Sequence, residues 1–567
     1  MPTPDLPIEL WLEILRYLPR STLRKMIGVN RVLFELALDD LYSEVRIISD
    51  DMDAEKMFEQ LSFPNISMRV RHLFIRPAFL PVMGEDLTPV SRSHENNPSK
   101  ILSSIKNGIK RATSTSCTTM DMEASTDPSA KILKSASHAI HSCTNLHDIT
   151  LIVHDQVLTP FFVHFLNSLW ALESIGTSLR KLVLDTTVIK FPLILNTLTK
   201  NAASLPNLDT LAINISISRI QHSDTEWKTA CDALVKFFKA FRGGLTSFIF
   251  SSLVTNDLNT LFELFPIFPK LTAFEFRSVF NIHTFPHSKD FTRFIHRHSQ
   301  TLTTLLIKPR GHSATASSSD DSYSVWLHHP PALQTTERLY SLTQLVFPKL
   351  KSLDVGLREV WGSPTLVGSD QTPNSGFGFL PDLTRVTPNL TRLVITDVKL
   401  IPQRAMALLN MLATSEGGSS LEELDIAIQV VYPQLFDRLS QTLPHLRALT
   451  IECARYSTMD DEIANGFLSV INCVGFEETM RSRIYPGLDL RYLRMGSMYH
   501  CGVPHPNYAI MKSVADSLSH DVELDTELRC DCVENVNFYP PRTLLTAHPA
   551  GRSGMWYTPL RLLSQRR

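Results

Sequence analysis

Leu179-Arg-Lys-Leu-Val-Leu184 and Leu208-Asp-Thr-Leu-Ala-Ile213 are one phrase written twice, and their reading decides the fold. The phrase is Leu-x-x-Leu-x-Leu, with Ile, Phe, Val or Met substituting. It begins at Leu146, Leu179, Leu208, Leu245, Leu271, Leu302, Leu350, Leu390, Leu421, Leu446 and Leu490, at intervals of 25 to 48 residues. Val70-Arg-His-Leu-Phe-Ile75 reads as an earlier member. Most instances follow a turn phrase such as LPNL, FPKL, TPNL or LPHL. Self-similarity at such a period signals a solenoid of stacked repeats. Within each phrase the side chains alternate across the strand. Leu182, Leu211, Leu305, Leu353, Leu393, Leu424 and Leu449 are therefore equivalent and should point into the core. The residues that follow them, among them Val183, Leu306, Val394 and Asp425, with Ile249 in the same place, should face the other way. They are the candidate residues for binding a target protein.

Helical spacing of apolar residues fills the gaps between phrases. It is clearest over Thr225 to Arg242, where Trp227, Ala230, Cys231, Leu234, Phe238 and Phe241 recur. Similar stretches are Phe161–Leu172, Asp257–Phe265, Asp290–His298, Gln403–Ala413, Gln434–Leu443, Glu462–Ile471 and Tyr508–Leu518. Strand, helix, strand gives parallel neighbours through right-handed crossovers. Parallel strands stack roughly 4.8 Å apart, whereas packed helices need about 8–10 Å. A stack with strands on one side and helices on the other should bend. The expected class is α/β: an N-terminal three-helix segment followed by an irregular solenoid with a curved parallel sheet. A doubly wound α/β domain is the alternative.

Upstream, Asp5 to Ile47 reads as three short helices. Ile8, Trp11, Leu12 and Leu15 form a stripe that Ile14 and Leu18 extend, and Pro19 stops it. Leu23, Met26 and Ile27 mark a second turn or two. The third helix, from Arg31 to about Tyr42, has two apolar faces, Leu33, Leu36 and Ala37 on one and Phe34, Leu38 and Leu41 on the other. A segment of about 40 residues rarely buries so much by itself. The remainder of the same chain or a partner protein must cover part of it.

Leu6-Pro7-x-Glu9-Leu10, Ile14-Leu15-x-x-Leu18, Leu23, Val29-Asn30-Arg31 and Phe34 together resemble the F-box, the adaptor-docking module of Skp–cullin–F-box ubiquitin ligases. Many F-boxes carry a Trp in the third helix, where this chain has Phe34, Leu41 and Tyr42. The resemblance implies a non-catalytic substrate receptor. It would dock a Skp-type adaptor, and through it a cullin-based ligase, by Leu6, Pro7, Ile8, Leu10, Ile14, Leu15, Leu18 and Leu23. The alternative is a repeat scaffold without a ubiquitin role, its N-terminal helices capping the solenoid. The repeats likewise resemble leucine-rich repeats. They depart from the regular pattern eight residues after the first Leu, where Thr187, Ser216, Leu253, Val279, Arg310, Arg358, Val398, Gln429 and Ala454 stand in place of Asn or Cys.

The expected organisation is an adaptor-docking segment over residues 1–48, a solenoid over 49–520, and a C-terminal cap or tail over 521–567. Ser, Thr, Asn and Pro dominate residues 83–128, which read as a mobile insertion, and residues 311–323 and 362–378 have loop composition. A formal net charge of −2 over 567 residues gives no electrostatic case for nucleic acid or an anionic membrane. No run of 18 apolar residues suggests a membrane span. Eight scattered cysteines suit a reducing compartment, cytoplasmic or nuclear. No phosphate loop, dinucleotide fingerprint, nucleophile elbow or zinc-binding pattern is present. The expectation is a protein without cofactor or metal that does no chemistry itself.

Overall fold

The computed structural model describes residues 7–16, 22, 31–82, 128–219, 221–286, 288–309, 323, 326–327, 342, 345–356, 386–413, 420–457, 473–497, 507–518 and 521–525. Among them, fourteen strands form one parallel sheet whose spatial order is the order of the sequence, β1 to β14. The strands are β1 (Glu44–Ile47), β2 (His72–Ile75), β3 (Asp148–Val153), β4 (Lys181–Thr187), β5 (Thr210–Ser216), β6 (Ser247–Ser252) and β7 (Ala273–Ser278). They continue as β8 (Thr304–Pro309), β9 (Ser352–Val355), β10 (Arg392–Leu400), β11 (Glu423–Val431), β12 (Ala448–Tyr456), β13 (Tyr492–Ser497) and β14 (Glu523–Asp525). A doubly wound sheet reverses its order at a switch point. This one never reverses and does not close into a barrel, so each repeat simply adds a strand beside the last.

Strand register confirms the equivalence of the phrases. Leu182 pairs with Leu211, and Leu305, Leu353, Leu393, Leu424, Leu449 and Leu493 follow one another across β8 to β13. All of these leucines are buried in one continuous core. Helices cover that side of the sheet. They include α5 (Pro128–His141), α6 (Pro160–Ala171), α8 (Phe191–Lys200), α9 (Asp224–Phe241), α10 (Asn259–Leu264) and α11 (Lys289–His298), and later α12 (Pro402–Ala413), α13 (Pro433–Thr442), α14 (Cys473–Arg481) and α15 (Asn507–Asp516). Short α3 (Met52–Gln60), α4 (Pro64–Ser67) and α7 (Glu173–Ser178) complete the layer.

Local chemistry sets where these helices begin. Pro64, Pro128, Pro160, Pro192, Pro402 and Pro433 stand in first turns, where no N–H is missed. Ser223 and Glu226 form a capping box at the start of α9. Gly176 lets α7 approach the next turn, since a Cβ there would lie 1.8 Å from the carbonyl oxygen of Ser204.

Two side-chain ladders lock successive repeats. The residue just before the first Leu donates to the preceding repeat: Asn145 to Met68 O (2.7 Å), Asn207 to Thr177 O (2.7 Å) and Asn389 to Pro348 O (2.7 Å). Ser178 and Ser420, in the same place, donate to Leu146 O and Leu390 O. The residue just after the first Leu makes the second ladder. Thr246, Thr272 and Thr303 donate in turn to Asp209 O, Thr246 O and Thr272 O, and Thr391 donates to Lys351 O. The first ladder satisfies turn carbonyls that backbone pairing leaves open, whereas the threonine hydroxyls add a further donor to carbonyls that already accept two backbone amides. A third polar row occupies the eighth position, where His154, Thr187 and Ser216 follow one another; Thr187 Oγ1 donates to His154 O.

The structure corrects the sequence reading in several places. The sheet begins at Glu44, inside the segment assigned to the N-terminal helices, because Val45 and Ile47 are buried beside Leu73 and Ile75. The connector after Ser49 carries α3 and α4. Helices α5, α7, α8 and α14 were not expected, and Pro128, placed in the insertion, opens α5. Tyr323, placed in a loop, is fully buried and donates to Gly356 O at 2.8 Å. Residues 83–127, 311–322 and 362–378, the expected helix over Glu462–Ile471 and the tail beyond residue 525 lie outside the described residues. Two compact units divide the chain. One carries α1 (Ile8–Arg16) and α2 (Arg31–Tyr42) up to Leu41, and the sheet and its helices form the other.

Candidate functional site

The N-terminal unit carries one candidate surface. Helix α1 starts on Pro7, whose carbonyl accepts from the amides of Leu10 and Trp11. Pro7 itself is exposed. Leu10 and Ile14, one turn apart on α1, are 50% and 40% exposed, and Phe34 and Leu41, two turns apart on α2, are 44% and 45% exposed. Leu33 and Ala37, on the other face of α2, are buried. Of the two apolar faces read from the sequence of α2, one holds the buried Leu33 and Ala37 and the other the exposed Phe34 and Leu41, with Leu36 and Leu38 half-buried. Leu6, Leu18 and Leu23 lie outside the described residues. Ile8 and Leu15 stand in α1. Exposed apolar pairs on each of two short helices are the kind of feature that a partner covers.

The sheet face opposite the helices is the second candidate. Register places Val183, Ala212, Ile249, Glu275, Leu306 and Asp354 in one row across β4 to β9, and Val394 and Asp425 continue it. The row is more closed than strand alternation alone suggests. Val183, Ile249, Leu306 and Val394 are only 7%, 5%, 4% and 7% exposed. Adjacent strands stand roughly 4.8 Å apart, so each side chain is flanked by its neighbours on both sides. Val183, Ala212 and Ile249 form a small apolar cluster separate from the main core.

From β7 onward this face is ionic. Arg277 Nε lies 2.6 Å from Glu275 Oε1, and Lys308 Nζ lies 2.9 Å from Asp354 Oδ1 and 3.2 Å from Thr396 Oγ1. Arg392 bridges Glu423 at 3.2 Å and Asp425 at 3.1 Å. The Arg277–Glu275 pair is a close ion pair with its carboxylate almost wholly buried. Burial raises the Glu275 and Asp354 carboxyls above the usual carboxylate range; Arg277 chiefly opposes this at Glu275, and Lys308 at Asp354. A half-buried band of fixed charges of both signs offers orientation to a partner more than bulk attraction.

Sequence reading missed a polar knot at the carboxyl ends of β3 to β5. Asp185 Oδ1 lies 2.9 Å from His154 Nε2 and accepts from Ser216 Oγ at 2.6 Å. Lys190 Nζ donates to the carbonyl of His154, and burial lowers its ammonium to about 8, with Asp155 opposing. The residue types are those of a nucleophilic triad, but the connectivity is not. Serine and imidazole converge on one carboxylate oxygen, and the serine's short contact is to that carboxylate at 2.6 Å, against 3.5 Å to His154 Nε2. The knot ties three strand ends together. His154 and Ser216 both stand eight residues after the first Leu of their repeats, which is the signal that could have found them.

These features define an open, sequentially ordered parallel α/β repeat stack joined to a small helical unit. Neither a protein-family model nor a curated protein matches the chain. No group of three or more His, Cys, Asp or Glu that could hold a metal occurs among the described residues. None of the described helices is long and apolar enough to cross a membrane.

Proposed function

We propose that this chain is a non-catalytic substrate receptor of a Skp–cullin–F-box ubiquitin ligase. The N-terminal helices dock a Skp-type adaptor, and the strand face of an irregular leucine-rich-repeat-like arc holds a target protein for ubiquitin-dependent degradation. The observation that carries the reading is the open apolar surface of Leu10, Ile14, Phe34 and Leu41 on helices whose sequence resembles the F-box. The sheet adds support, since parallel strands backed by helices on one side leave a long strand face free. Held there, a target would be close to the ubiquitin-charged enzyme, and the receptor would act by raising effective concentration.

The test replaces Leu10 and Ile14 by Asp in the full chain and measures co-precipitation of a Skp-type adaptor. Burying a Leu or Ile side chain contributes about 1.5–3 kcal/mol. Losing two should weaken binding by more than about a hundredfold, while circular dichroism of the repeat unit stays unchanged. An adaptor that still co-precipitates at full strength, or that never binds the native chain, would overturn the proposal. The second outcome would leave the scaffold reading.

A further inference from the structure

On the helical side of the stack, α5 and α6 of neighbouring repeats enclose a groove of about 370 Å³. Its floor is apolar. Leu133 and Phe165 are buried there, and Phe161 and Leu172 are half-buried. Its rim is basic: Lys134, His138, His141 and His164 line it and are exposed. Among the described residues no carboxylate lines the groove. Glu55, which α3 brings to α5, is held by Lys131 at 2.7 Å. The volume falls within the range of ligand-binding clefts, roughly 300–1,000 Å³. The lining residues of α5 run from Ala130 to His141 along one face, about three helical turns or roughly 16 Å.

We propose that this groove binds an acidic amphipathic helix of a partner protein. Apolar side chains at i, i+4 and i+7 of such a helix match the floor residues Phe161, Phe165 and Leu172, spaced along α6 and its C-cap, as in other helix-in-groove recognition. Carboxylates flanking that stripe would meet a rim that offers only neutral or positive groups. A basic helix would place its charges against Lys134. The site lies on the face opposite Val183, Ile249 and Leu306, so its occupant and a target on the strand face would not compete.

The experiment uses the full chain and two labelled synthetic helices that share Leu at i, i+4 and i+7. One carries Glu at the flanking positions and the other Lys, and fluorescence anisotropy reads binding. The acidic helix should bind at least about fivefold tighter than the basic one, and added salt should reduce the difference. Lys134→Glu with His164→Glu alters only exposed side chains, so the variant should keep its melting temperature and reverse the preference. Vesicles of phosphatidylserine and phosphatidylcholine form a third arm. Equal affinity for both peptides, binding of neither, a preference that the double variant leaves in place, or recruitment by vesicles alone would each overturn the proposal.

Discussion

His298 should make the centre of the repeat stack sensitive to acid. The side chain is buried on the last turn of α11, between the rings of Phe268 and Phe294. Its Nδ1 donates to Phe294 O at 2.8 Å, and its Nε2 accepts from the Phe268 amide at 3.0 Å. Only the neutral imidazole can do both, because protonation turns the accepting nitrogen into a donor that faces another donor. Burial lowers the folded-state pKa of His298, with the Phe294 carbonyl opposing. An unfolded chain therefore binds a proton at a pH where the folded chain does not. The stability this group confers is complete above the ordinary histidine value, about 6.5, and is lost as pH falls from there towards the lowered folded value. Within that window the slope is about 1.4 kcal/mol per pH unit. His298→Ala should cost about 3–5 kcal/mol at pH 7.5, from a cavity and an orphaned Phe268 amide. Urea unfolding of native and variant chains at pH 7.5, 6.5 and 5.5 measures both quantities. The difference between them should shrink with acidity, and hydrogen exchange at the Phe268 amide should accelerate in the variant. A loss below about 0.5 kcal/mol, or a difference that does not change with pH, would refute the argument.

Leu424→Ala should cost on the order of 2–5 kcal/mol by lost burial and cavity formation, read by chemical denaturation. Val394→Ala on the opposite face would be neutral if that residue were plain surface, but its burial in the strand row predicts a cost of about 1.5 kcal/mol. Asn207→Ala removes the donor that ties one turn to Thr177 O and should cost about 1 kcal/mol, visible as faster exchange of the neighbouring turn amides.

The sheet was legible because its signal is local and repeated. Each Leu-x-x-Leu-x-Leu phrase declares one buried face by itself, and the register then aligns phrase with phrase. What escaped notice lacked such contrast. Helix α8 follows β4 through a run of apolar residues, Val188-Ile-Lys-Phe-Pro-Leu-Ile-Leu195, in which no polar face marks a helical period; most of that run is buried. Helix α5 begins where a Ser- and Thr-rich stretch ends, and composition carried the loop reading one residue too far, to Pro128. The threonine ladder was present in plain sight as Leu-Thr at 245–246, 271–272, 302–303 and 390–391, but a hydroxyl donating to the previous repeat has meaning only once the repeats are stacked.

Alternation also fixes direction without fixing exposure, which bears on the candidate surfaces. It placed Val183, Ile249, Leu306 and Val394 on the face opposite the helices, and they are there. How far water reaches them depends on the spacing of neighbouring strands, which no single repeat contains. On that face the apolar residues are almost closed, whereas Arg392 and Glu423 remain about one-third to two-fifths exposed. A partner on the strand face would thus be met first by charges over β10 and β11. The apolar row beneath would contribute shape and rigidity, and less contact area. In the N-terminal unit the relation runs the other way. Leu10, Ile14, Phe34 and Leu41 are exposed and uncharged, and area is what they offer. A partner burying these four would gain mainly by the hydrophobic effect, with weak dependence on salt. Binding at the strand face should depend on ionic strength through k_on and register. Measuring each interaction over a salt series separates the two surfaces without any substitution.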